Sequence, residues 1–153
     1  LYDLPLDRFR EEKLQSNRFV MERLDQIQGK VNAHPDPVLA GLQMAILGNY
    51  LDFSALQGQG SFEKLEETCR DALKMELDRE ALEKLRSDLA KAKTLLYITD
   101  NAGEIGFDRV LAEVMSTKYP DLNITFCVRG GPALNDATRE DAAALFFILP
   151  WAE

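Results

Sequence analysis

The sequence predicts an α/β fold in which a parallel sheet carries an N-terminal helical domain. Two observations lead there. Through residue 92, apolar positions recur at helical spacing. From Lys93 the texture changes to strand, helix and strand within about 35 residues. Such a βαβ unit has a right-handed crossover and parallel strands in nearly all cases. The expected domains are therefore a helical one over 1–92 and the beginning of an α/β one over 93–153.

Length and composition fit this class. A chain of 153 residues is about one domain by the usual prior. Hydrophobic residues at 46% and charged residues at 29% are ordinary globular values, which argues against disorder, collagen-like repeats and coiled coils. The net charge is −8 and the basic residues do not cluster, so nucleic acid and anionic lipid are not expected partners. The longest apolar run, Ala142 to Trp151, contains a proline and falls far short of a bilayer span. No basic stretch followed by an apolar core opens the chain, so the expectation is a cytoplasmic protein. Cys69 and Cys127 lack any zinc-ligand spacing and read as reduced, largely buried thiols. A chain that opens on Leu1 and closes just after an apolar run reads as a piece of a longer protein.

Residues 7–28 read as one helix, with Phe9, Val20, Leu24 and Ile27 on a single face. Lys13 and Asn17 interrupt that apolar stripe. A polar group there either snorkels at the bundle edge or lines a site. Gly29 to Pro35 reads as a loop, and the lone His34 within it is given no role. Asp36 and Pro37 supply a cap and a first-turn proline. The next segment, Val38 to Leu47, is apolar nearly all round and reads as a buried helix ending at Gly48. Asn49 and Asp52 stand at its mouth, either aimed into a cleft or capping the helix end. After the Gln57-Gly58-Gln59-Gly60 loop, Ser61 caps a helix to about Leu77, with Leu65, Cys69 and Ala72 inward. Asp78 caps another to about Ala92, with Leu82, Leu85 and Leu89 inward.

Thr94 to Thr99 is a continuous β-favouring run, as in a strand buried on both faces. A helix from about Ile105 to Lys118 follows, with Val110, Leu111, Val114 and Met115 as its stripe. Ile124 to Val128 is the second strand, so the unit reads as the start of an open, Rossmann-like sheet.

Open parallel sheets bind ligands beyond the carboxyl ends of their strands. Two loops lie there: Asp100-Asn101-Ala102-Gly103-Glu104 after the first strand, and Arg129 to Thr138 after the second. Their carboxylate and amide oxygens suit Mg²⁺ or Mn²⁺ rather than thiophilic ions. Arg129 adds a forked cation, and Gly130-Gly131 allows close backbone approach to a ligand. Carboxylates for a metal beside a cation for an oxyanion is the layout of metal-assisted phosphoryl transfer. Each loop taken singly also reads as an ordinary turn and helix cap.

The two segments Asp100-Asn101-Ala102-Gly103-Glu104-Ile105-Gly106-Phe107-Asp108 and Arg129-Gly130-Gly131-Pro132-Ala133-Leu134-Asn135-Asp136-Ala137-Thr138 closely resemble the signature loops of the damage-control phosphatases. These are ARMT-type metal-dependent enzymes. Gly48-Asn49-Tyr50-Leu51-Asp52-Phe53, and Lys13 through Asn17, are similar to motifs of that family's helical region. The resemblance implies a helical domain on an α/β domain, with a divalent metal in the cleft between them. It implies Asp100, Asn101 and Asp136 as metal ligands. It places Glu104 and Arg129 near the substrate, with Asn49, Asp52, Lys13 and Asn17 lining the same cleft. Asp100 and Glu104 are the expected catalytic carboxylates; either water or a carboxylate could be the attacking group, and Asp100 is the expected nucleophile if a covalent step exists. The implied activity is hydrolysis of phosphate monoesters of small metabolites, sugar phosphates or damaged phosphometabolites, supported by Mg²⁺, Mn²⁺, Co²⁺ or Ni²⁺. The family's later Lys-Gly-x-Gly-Asn loop has no counterpart after Asp136, so the implied activity attaches to the intact protein.

Two other readings compete. One is a non-catalytic metal- or nucleotide-binding module. The other is a methyltransferase, but the Gly-rich loop it needs after the first strand is replaced by Asp100-Asn101.

Overall fold

The computed structural model describes residues 6–51 and 61–145. Asp52, the Gln57–Gly60 loop and the apolar run beyond Leu145 lie outside the described residues. The element order is α1 (Arg10–Met21), α2 (Leu24–Asn32), α3 (Pro37–Tyr50), α4 (Ser61–Ala72), α5 (Arg79–Leu89), β1 (Thr94–Ile98), α6 (Glu104–Lys118), β2 (Asn123–Cys127) and α7 (Arg139–Leu145). The molecule is thus mainly helical, with a small parallel sheet of two strands among the described residues. The strands pair from Thr94 with Asn123 to Ile98 with Cys127, and α6 is the crossover.

Several local expectations hold at the residue level. The Asp36 carboxylate accepts from the Leu39 N–H at 3.2 Å and starts α3, with Pro37 in its first turn. Asp78 starts α5 the same way, through the Ala81 N–H at 2.8 Å. Both caps satisfy backbone donors that a helix start leaves without partners.

Four expectations are corrected. The single helix over 7–28 is two helices, and α2 runs through Gly29 to Asn32. The chain breaks stride at Glu22–Arg23, where the Arg23 backbone leaves helical geometry. Its guanidinium lies over the Phe19 ring, 4.0 Å from the centroid, and donates to the Phe19 carbonyl at 2.7 Å. That pairing keeps the buried face continuous through Val20, Leu24 and Ile27 across the break. The helix opened by Ser61 stops at Ala72, short of Leu77. β1 is not buried on both faces: Leu95 and Tyr97 face the packed side, while Leu96 and Ile98 are exposed. β2 alternates in the same way, so Cys127 is exposed rather than buried. Among the described residues, α6 and its neighbours cover one side of the strand pair, so the strands alternate as half-buried strands do.

The main hydrophobic cluster does not stop at position 93. Val20, Ile27, Val31, Met44 and Leu65 from the helical layer pack with Phe107, Val110 and Val114 of α6. The α3–α6 pair is the most extensive helix contact, and two small residues let it close. A Cβ on Gly41 would stand 3.0 Å from Leu111, and one on Gly48 would stand 3.0 Å from Phe107. Gly106 is tighter still, because its Cβ would fall 2.5 Å from Cγ1 of Val20. On the other side of the unit, Leu89, Leu111, Met115 and Leu122 form a second cluster with Leu95, Tyr97 and Ile124 against it. α6 therefore sits between the helical layer and the strands, and it carries the loop at its N-terminus into the junction.

Candidate active site

The loops after β1 and β2 are laced together by their backbones. Asn101 and Asp136 form an antiparallel bridge, and Arg129 and Thr138 a parallel one. The Ala137 N–H donates to the Asp100 carbonyl at 2.7 Å, and the Ala102 N–H to the Asn135 carbonyl at 2.9 Å. This lattice brings Asp100, Asn101 and Asp136 to one edge of the sheet, as the βαβ topology requires. Two residues there adopt left-handed backbone: Gly103 at φ 83° and Leu134 at φ 50°. Glycine carries no penalty in that region, whereas a leucine held there stores local strain next to the site.

Glu104 is the hub. It is buried, and its carboxylate accepts from the Asn49 amide at 3.1 Å on both oxygens. It also takes the Asn101 side-chain amide at 3.1 Å and the Asn101 backbone N–H at 3.3 Å. Asn49, at the end of α3, reaches Asp100 Oδ2 at 3.3 Å as well, so one amide from the helical layer joins two carboxylates of the β1 loop. Because Asn101 commits Nδ2 to Glu104, its Oδ1 is the end available to a cation. Arg129 donates Nε to Asp136 Oδ2 at 2.5 Å. A cleft of about 250 Å³ opens beside these groups, lined by Lys13, Ser16, Asn49, Asn101 and Asn135.

Asp100, Asn101 and Asp136 offer two carboxylates and one amide oxygen. Among the described residues no group of three or more His, Cys, Asp or Glu gathers to hold a metal. The donor set fits a hard cation of the Mg²⁺ kind, which keeps waters and is held by one or two carboxylates together with substrate oxygens. It does not fit a closed structural site.

Lys13 and Asn17 do interrupt the apolar face of α1, and both are buried. Their polar atoms are committed elsewhere than to Asp100 or Glu104. The Lys13 ammonium lies 2.8 Å from Asp7 and 3.2 Å from Asp141. Asn17 donates to Asp141 at 2.8 Å and accepts the Gly103 N–H at 2.7 Å. Burial works against the Lys13 charge, but the two carboxylates outweigh it and hold the amine above its ordinary value. Burial likewise opposes ionisation of Asp141, and the Thr138 hydroxyl and N–H with Lys13 bring it below the usual carboxylate range. So α1 grips both loops, one through Gly103 and the other through Asp141 and Thr138. Asp52, expected beside Asn49, lies outside the described residues.

Two participants escaped the sequence reading. Asp141 accepts from the Thr138 N–H at 2.8 Å and its hydroxyl at 2.6 Å. Thr138-Arg139-Glu140-Asp141 has the spacing of a capping box, which was the readable signal. Asp108 lies one turn after Glu104, buried, and accepts from the Tyr97 hydroxyl at 2.7 Å. A carboxylate four residues after Glu104 on an otherwise apolar helix face was its signal.

The class these features define is a helix-clamped, parallel βαβ unit with a carboxylate-and-amide site at the carboxyl ends of its strands. The chain belongs to the damage-control phosphatase ARMT1-like family, whose domain model matches residues 5–149. It is 40% identical over 141 residues to a protein of Methanocaldococcus jannaschii, covering 89% of this chain and 44% of that one. It is 36% identical over 135 residues to a damage-control phosphatase of Pyrococcus horikoshii, covering 88% of this chain and 45% of the other. A crystal structure of a DUF89 family protein from Pyrococcus horikoshii superposes with a TM-score of 0.77 at 32% identity, over 92% of this chain and 47% of that one. The chain spans a little under half the length of the relatives it matches. Among the described residues no helix is long and apolar enough to cross a membrane.

Proposed function

We propose that the intact protein is a metal-dependent phosphatase acting on phosphate monoesters of small metabolites, sugar phosphates or damaged phosphometabolites among them. The observation that carries this reading is that Asp100, Asn101 and Glu104 meet at one sheet edge, with Asp136 bridged to Asn101 by its backbone and Asn49 reaching Asp100 and Glu104 from α3. Membership of a family that includes a relative named as a damage-control phosphatase supports the same reading.

Asp100, Asn101 and Asp136 are the residues that would hold a divalent cation, Mg²⁺, Mn²⁺, Co²⁺ or Ni²⁺. When bound, such an ion neutralises phosphoryl oxygens and orients the attacking group. Arg129, two-thirds exposed and anchored on Asp136, offers its remaining guanidinium N–H groups to phosphate oxygens. Glu104 is held on both oxygens by amide donors, so it presents a fixed carboxylate beside Asp100. Asn49 keeps the helical layer and the β1 loop in register. The Lys13–Asn17–Asp141 network holds the loops that carry the ligands, so Lys13 and Asn17 serve the site by placing Gly103 and Thr138.

Replacing Asp136→Asn removes one anionic donor while keeping its size. Turnover of an aryl phosphate by the intact protein is expected to fall by several orders of magnitude, with the circular dichroism spectrum unchanged. Near-parental turnover would refute this ligand assignment. The rival reading, a binding module without catalysis, predicts metal-dependent thermal stabilisation with no turnover in either form.

A further inference from the structure

A second, wider groove of about 810 Å³ runs along the Arg129–Thr138 loop. Three arginines line it: Arg10 at the start of α1, Arg129, and Arg139 at the start of α7. Gly130 and Gly131 lie between them, and a Cβ built on either would meet nothing within 4 Å, so the backbone is open to close approach. Arg10 and Arg139 are exposed, and among the described residues neither side chain has an ion pair or hydrogen bond. Two carboxylates share the groove. Asp7 is neutralised by Lys13 at 2.8 Å, and Glu140 is exposed. A chain of net charge −8 thus gathers two uncommitted guanidinium groups in a groove that shares Arg129 with its candidate site.

Guanidinium forks match carboxylate and phosphate oxygens two at a time, which an ammonium cannot do. Arg129 belongs to both places, since its Nε holds Asp136 while its side chain lines the groove. The groove therefore begins where a phosphate ester at Asp100 and Asp136 would end. We propose that it is a second anion subsite, and that the preferred substrates are two-headed. The ester phosphate sits at Asp100, Asn101 and Asp136, and a second anionic group, phosphate or carboxylate, is held by Arg10 and Arg139. This rests on the phosphatase reading above.

The test uses the intact protein and matched substrate pairs: a hexose 1,6-bisphosphate against the hexose 6-phosphate, and 3-phosphoglycerate against glycerol 3-phosphate. The two-headed member of at least one pair is expected to show a kcat/KM at least tenfold higher. The Arg10→Gln/Arg139→Gln double variant is expected to bring that ratio close to one. The same charge change at Arg70 and Arg79, exposed on α4 and α5, should leave the ratio as in the parent. Which pair responds names the second group as phosphate or carboxylate. Equal kcat/KM within both pairs, a ratio that survives the double variant, or one that falls equally in the Arg70/Arg79 control overturns the proposal. If no phosphate ester turns over, the phosphatase reading fails separately, and calorimetric titration with the bisphosphate decides the groove. Binding lost only in the Arg10/Arg139 variant sustains the subsite, and any other result overturns it.

Discussion

Asn17 makes two bonds, each to a residue more than eighty positions further along the chain. Its amide N–H goes to Asp141, and its oxygen receives Gly103, the residue that begins α6 in left-handed backbone. Asn17→Leu keeps the volume but leaves a buried N–H unmet and Asp141 short of a donor. The expected cost is about 2–4 kcal/mol, read from the denaturant midpoint. A loss under 0.5 kcal/mol would show that the two bonds exchange freely with water. Asp108 gives a pH-dependent prediction. Burial raises its pKa most, the Tyr97 hydrogen bond opposes this, and Glu104 and Asp100 add to the rise, leaving it at about 7. The folded protein then holds a proton that the unfolded chain releases near pH 4. Stability is therefore lost as pH rises from about 4 to about 7, by up to roughly 4 kcal/mol. Asp108→Asn cannot ionise and still accepts from Tyr97. It should melt higher than the parent above pH 7, with the gap closing toward pH 4. A gap that does not vary with pH would contradict the assignment. From the sequence, the loop residues Asp100, Asn101, Glu104 and Asp136 were legible because their types and spacing follow strand ends. The shared partner of Lys13 and Asn17, Asp141, was not, because it is more than a hundred residues away and no local pattern connects them.

At the scale of elements, helix starts were readable and interruptions were not. Asp36 and Asp78 cap through their own side chains, which is a local signal. The break between α1 and α2 depends on the Arg23 guanidinium finding the Phe19 ring and carbonyl, and helical spacing continues across it. The strands were legible as strands, but whether one face or both are covered depends on what packs there. α6 is the element that the rest is built around, and Gly106 is where it comes nearest to α1. Gly106→Ala drives a Cβ to within 2.5 Å of Val20, and the strain should cost about 1–3 kcal/mol. Adding Val20→Ala should recover part of that loss despite the methyl groups it deletes. Purely additive destabilisation, measured by a double-mutant cycle, would show that α1 and α6 do not meet as tightly as described.

For the whole molecule, the helical layer and the βαβ unit share one core through Phe107, Val110 and Val114, and the site lies on the line where they join. A cation at Asp100, Asn101 and Asp136 would link groups from both loops, and the Asn49 contact would carry its effect into α3. Binding should therefore raise the melting temperature of the intact protein, and chelation should lower it by the same amount. The measurement that bears most directly on this account is hydrolysis of p-nitrophenyl phosphate by metal-stripped intact protein, with Mg²⁺, Mn²⁺, Co²⁺ or Ni²⁺ added back and Asp136→Asn alongside. No turnover is expected without metal, with recovery on adding at least one ion and no recovery in the variant. Turnover that ignores added metal, or that the variant retains, would contradict the metal-dependent assignment.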